Sequence, residues 1–130
     1  MRRATGVVFT LVAVGSIACG DSAAPNGGGC DQPLEFTVSS STSPTISWNP
    51  ACTVAQLYVT EPSDASTPIR WQVDASSNSI RPPVSYGSAP AGTTVSKSPD
   101  ALFTKHHYVV IVSVLSSNQY LIAGSASIDP

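Results

Sequence analysis

The stretch Leu102-Phe103-Thr104-Lys105-His106-His107-Tyr108-Val109-Val110-Ile111-Val112-Ser113-Val114-Leu115 is the longest β-branched run in the chain and holds neither Gly nor Pro. From Tyr108 onward it predicts a strand, because β-branched and aromatic side chains fit a pleated, half-buried surface. Tyr108, Val110, Val112 and Val114 fall on one face, and Val109, Ile111, Ser113 and Leu115 on the other. Both faces are mostly apolar. That pattern belongs to a central strand whose sheet is packed on one side and shielded by neighbours on the other.

The rest of the chain supplies partners of the same kind. Leu34 to Ser39 alternates, with Leu34, Phe36 and Val38 together; Thr45 to Trp48 places Ile46 and Trp48 together and stops at Asn49-Pro50. Gln56 to Glu61 gives a third strand with Leu57 and Val59 inward, and Ile69 to Val73 a fourth with Ile69, Trp71 and Val73 on one face. Pro82-Pro83 confines the stretch from Ile80 to Gly87 to an edge or a bridging role. Thr93 to Lys97 is a candidate short strand, and Gln119 to Ile128 returns as the last one, weakened by Gly124. No stretch has helical periodicity with caps. The expected fold is all-β: a seven-stranded antiparallel β-sandwich over residues 33–130.

The first thirty residues are different. Met1-Arg2-Arg3 is a basic start, followed by an apolar run from Gly6 to Ala18, short against the ~20 residues that a spanning helix needs. Its ending, Ser16-Ile17-Ala18-Cys19, resembles the bacterial lipoprotein signal, in which cleavage precedes the Cys and the thiol is acylated. The family has Leu where this chain has Ser16. The resemblance implies a signal peptide over 1–18, a lipid on Cys19 and a place in the cell envelope, with the outer membrane preferred to the inner. The alternative is ordinary cleavage, for example after Ala24, releasing a soluble secreted protein. Residues 19–32, with no aliphatic side chain larger than Ala from Gly20 to Gly29, are expected to be a disordered tether.

The cysteine count bears on the same question. Three Cys in an exported chain leave one unpaired, but a lipid on Cys19 leaves Cys30 and Cys52 as an even pair. Metal ligation is the weaker alternative, since two Cys without a second set make half a site. Closing a loop of roughly 22 residues would stabilise by about 3 kcal/mol in the chain-entropy model.

Trp48 on a second strand, an alternating third strand, and Leu102 six residues before Tyr108 resemble the fibronectin type III module over roughly residues 33 to 128. The resemblance implies a corner in which Leu102 plugs the end of the sandwich and the Tyr108 hydroxyl bonds nearby backbone. It departs from the family in having Phe103 to His107 where Pro or Gly is usual, and in carrying a disulfide. The family topology accommodates a Cys30–Cys52 bridge, because the start of the first strand and the end of the second lie at one end of an antiparallel pair.

A search for chemistry returns little. His106 and His107 are adjacent, so on an extended chain they point to opposite faces and cannot chelate one ion. No Gly-x-Ser-x-Gly elbow, phosphate loop or dinucleotide fingerprint occurs, and the acids are scattered. A formal net charge of −2 gives no electrostatic draw on nucleic acid. Trp71, Tyr86 and Tyr120 offer a stacking platform for a sugar, against the preferred reading in which Trp71 packs inward and the tyrosines cover edges. The outward side chains Tyr58, Val109, Ile111 and Leu115 form a candidate binding face, unless neighbouring segments fold over them.

These readings converge on a non-enzymatic, monomeric envelope lipoprotein without cofactor or metal. Its domain is expected to serve protein–protein contacts or spacing. The alternatives are a carbohydrate-binding module and, remotely, a hydrolase.

Overall fold

The computed structural model describes residues 30–63 and 66–130. The expected signal peptide, Cys19 and residues 20–29 of the tether lie outside the described residues.

Eight strands form two antiparallel sheets: β1 (Glu35–Val38), β2 (Thr45–Asn49), β3 (Gln56–Thr60), β4 (Ile69–Asp74), β5 (Val84–Ser85), β6 (Thr94–Lys97), β7 (Tyr108–Ser116) and β8 (Gln119–Ile128). One sheet has the order β1-β2-β5 and the other β6-β4-β3-β7-β8. The expected count of seven becomes eight, with the Ile80–Gly87 stretch giving the two-residue β5 and the candidate strand at Thr93–Lys97 forming β6. It joins the edge of the larger sheet by pairing with β4.

The run that opens the sequence argument is indeed central, with β7 paired to β3 on one side and β8 on the other. Its inward side chains Tyr108, Val110 and Val112 are fully buried. They meet Leu57 and Val59 from β3, Trp71 and Val73 from β4, and Ile46 and Trp48 from β2 in a single core. Alternation along each strand therefore decides what is inside. Pro82-Pro83 precedes a strand of only two residues on the edge of the smaller sheet, as a missing backbone donor requires.

The register between β3 and β4 departs from simple alternation. Val59 pairs with Trp71, yet Thr60 pairs with Ile69, so Arg70 is an extra residue in a β-bulge. The bulge reverses the side-chain parity. Ile69, expected inward beside Trp71, is turned to the outer face and is 38% exposed.

Cys30, assigned to the tether from the sequence, is disulfide-bonded to Cys52 with their Cα atoms 5.2 Å apart. It packs against the core. Trp48 Nε1 donates to the Cys52 carbonyl at 2.9 Å, so bridge and core are tied together. At the other end of β7, the Tyr108 hydroxyl accepts from the Phe103 amide at 2.9 Å, and Leu102 is buried next to it.

Candidate functional site

The outer face of the five-stranded sheet is built of registered rungs. Tyr58 on β3 stands between Gln72 on β4 and Ile111 on β7; one rung along, Thr60 stands between Ile69 and Val109. Directly opposed side chains on one face touch, so each rung is a continuous strip of surface. Pro62 and Thr67, from the connection between β3 and β4, close one end. Together with Gln56 these residues line a groove of about 520 Å³.

No lining side chain is charged. Tyr58, Val109 and Ile111 are half-buried, so neighbours flank them without covering them. The Thr60 hydroxyl is buried and, among the described residues, has no hydrogen-bond partner. Polar groups gather at the Gln56 end. There Asp74 accepts from the side-chain amides of Gln56 at 2.8 Å and Gln72 at 3.0 Å, and from the Ser96 hydroxyl.

Three of the four sequence-predicted face residues, Tyr58, Val109 and Ile111, come together in this groove. Leu115 does not. It lies on the same side of β7 but farther along, opposite Tyr120, and Asn78 clamps its backbone through bonds of 2.7 and 3.0 Å. The alternation that finds Tyr58 also places Gln56, Thr60 and Gln72 on this face, so these were readable. Ile69 was not, because its orientation depends on the bulge.

The aromatic platform does not exist. Trp71 is fully buried, with the Tyr86 ring edge-on to it at 5.3 Å. The Tyr86 hydroxyl donates to the Asp100 and Arg70 carbonyls, and burial pushes its pKa up to about 12. Only Tyr120 is exposed.

The histidines address two different acids, as adjacent residues on an extended chain must. His106 Nδ1 lies 2.7 Å from Glu61, and His107 Nδ1 lies 2.7 Å from Asp129. Glu61 also accepts two bonds from the Arg70 guanidinium, which faces Asp100, itself bonded to Lys97. Hydrogen bonds from His106 and then Arg70 hold the Glu61 carboxyl below its ordinary range. Glu61, Arg70, Asp100 and Lys97 form one chain of ion pairs, with His106 bonded at its Glu61 end and the His107–Asp129 pair apart from it. Among the described residues, no three His, Cys, Asp or Glu side chains converge as metal ligands.

No family model, curated protein or solved structure matches this chain. The site must be interpreted from its own chemistry. An uncharged groove with an aromatic ring, three aliphatic side chains and amide groups at one end suits a neutral, partly apolar surface.

Proposed function

We propose that this chain is a non-enzymatic, lipid-anchored protein of the cell envelope whose fibronectin type III-like domain holds a partner protein in the outer groove. The observation that carries this reading is the pair of rungs Gln72–Tyr58–Ile111 and Ile69–Thr60–Val109, half-open and without charge. Depletion of charge around aromatic and aliphatic anchors characterises the centre of protein interfaces. The fibronectin type III-like assignment is supported by the Leu102–Tyr108 corner, by inward Trp48, and by β4 lying beside β3. That last feature separates the arrangement from the constant-type immunoglobulin order, where the fourth strand joins the first two. Anchoring rests on Ser16-Ile17-Ala18-Cys19.

Ile111→Lys tests the groove. The substitution is expected to leave the melting temperature nearly unchanged, because Ile111 is half-open, and to abolish cross-linking to the partner in intact cells. Severe unfolding, or undiminished cross-linking by a folded variant, removes the groove as the contact site. A second reading, a neutral glycan, is favoured by the amides of Gln56 and Gln72 beside the Tyr58 ring. Binding to a glycan array that is lost in Tyr58→Ala would select it.

A further inference from the structure

β8 is an edge strand: it pairs with β7, and among the described residues no strand lies on its other side. Edge strands commonly carry Lys or Pro, because their unpaired N–H and C=O groups are a template for another chain. This one runs for ten residues, and from Tyr108 to Ile128 the sequence contains no Asp, Glu, Lys, Arg or Pro. A bulge interrupts it. Val112 pairs with Gly124 and Ser113 with Ile122, which leaves Ala123 as an extra residue. The regular piece of edge nearest the turn is therefore Gln119 to Ile122.

The backbone of β7 shows which groups of this piece are free. The Ser113 carbonyl accepts from Ala55 N at 2.8 Å, and Asn78 takes both the N–H and the C=O of Leu115, at 2.7 and 3.0 Å. These groups point away from β8, so Ser113–Ile122 and Leu115–Tyr120 are non-hydrogen-bonded pairs of the ladder. The N–H and C=O of Tyr120 and Ile122 consequently point outward. Among the described residues, no backbone bond from another segment reaches them. Their side chains, 46% and 68% exposed, share the outer face with Leu115, while Leu121, 50% exposed, lies on the opposite face beside Val114.

We propose that Gln119 to Ile122 pairs antiparallel with the same segment of a second copy, joining the two larger sheets across a two-fold axis at Leu121. The chain would then be a dimer instead of the expected monomer. In that register Tyr120 lies opposite Ile122 of the second copy, and the outward N–H and C=O groups of each bond those of the other. Each such pair sets an aromatic ring against a β-branched side chain, a favourable cross-strand combination. Leu121 meets Leu121 of the second copy on the other face. A symmetric pairing brings like charges together wherever a strand is charged, and this strand has none. The register that satisfies the free backbone groups also covers three neighbouring exposed apolar side chains, so the segment is complementary to itself. A contact this short falls below the roughly 1,200–2,000 Å² of a stable complex, so the dimer is weak and its population rises with concentration. The inference rests on neither the groove nor the lipid anchor.

The test uses the full chain in density-matched detergent. Across the axis the two Leu121 Cα atoms would lie about 4.5 Å apart, within disulfide reach, whereas Gln119, also exposed, would lie about 14 Å from its copy. Leu121→Cys is therefore expected to cross-link between chains at least about tenfold faster than Gln119→Cys under mild oxidation, with the unsubstituted chain as background. Leu121→Lys or Leu121→Glu alone sets like charges face to face. Each should abolish the dimer seen by sedimentation equilibrium, with the melting temperature retained, and an equal mixture of the two should restore it. Equal cross-linking at both positions overturns the proposal, as does wild type that stays monomeric at millimolar concentration. A dimer that survives Leu121→Lys, or a mixture that recovers nothing, would show that the copies do not meet at Leu121 and overturns it as well.

Discussion

Glu61 shows how one side chain can join segments that the sequence keeps apart. It is 45 residues from His106, yet the two meet at 2.7 Å, and Arg70 binds the other carboxylate oxygen. Both partners favour the ionised form, so the folded pKa lies below the usual 4.5. The unfolded chain binds the proton more readily. The contribution of Glu61 is therefore fully present above the ordinary carboxylate range and is lost as pH falls through the lowered value. Asp100 behaves in the same sense, through Lys97 first and Arg70 to a lesser degree. Denaturant midpoints measured across the acid range should decline more shallowly for Glu61→Gln than for wild type, with a residual slope from Asp100. Parallel declines would show that Glu61 is not linked to folding.

The corner before β7 binds a loop to a strand through one hydroxyl and one apolar plug. Lys105 in that loop has φ 68°, the left-handed region that favours Gly. The loop is thus held by its contacts rather than by local preference. Tyr108→Phe deletes only the acceptor of the Phe103 amide and should cost about 1–3 kcal/mol. Leu102→Ala leaves a cavity at the sandwich end and should cost about 2–5 kcal/mol. Denaturant titration of both variants checks this, and losses near zero would dissolve the corner. At the far side of the sheet, Gly124 has a structural reason for interrupting β8. A Cβ there would fall 2.8 Å from Cε2 of Phe36, so its absence lets β1 close against the larger sheet.

Across the whole domain, the disulfide and the core act in parallel. Cys30 and Cys52 close a 22-residue loop over β1 and β2. Cutting it should destabilise by about 3 kcal/mol in the chain-entropy model. The core is continuous from Ile46 to Ile128, with the two cysteines packed at its margin. Cys30→Ala with Cys52→Ala is therefore expected to lower the unfolding midpoint while a dispersed amide NMR spectrum persists. Collapse of that dispersion would mean that the core alone cannot hold the two sheets. The ion-pair chain has less weight, because its members are partly exposed and screened.

Period-2 alternation is local, and wherever it ran unbroken the sequence alone determined which side chains face the core. That covers Leu57, Val59, Trp71, Val73 and the whole of β7, and hence Tyr58, Val109 and Ile111 on the opposite face. The tertiary structure alone decided the features that depend on pairing between distant strands. The bulge at Arg70 reverses Ile69, and no property of Ile69-Arg70-Trp71 announces it. β6 was a candidate strand in the sequence, but its place at the edge of β4 comes only from their pairing. Tyr86 and Tyr120, both expected from the sequence to cover strand edges, end differently. One packs edge-on against Trp71 at the margin of the core, and the other stands exposed beside the β7–β8 turn. Burial is a property of what packs on a residue, and only the folded chain supplies that.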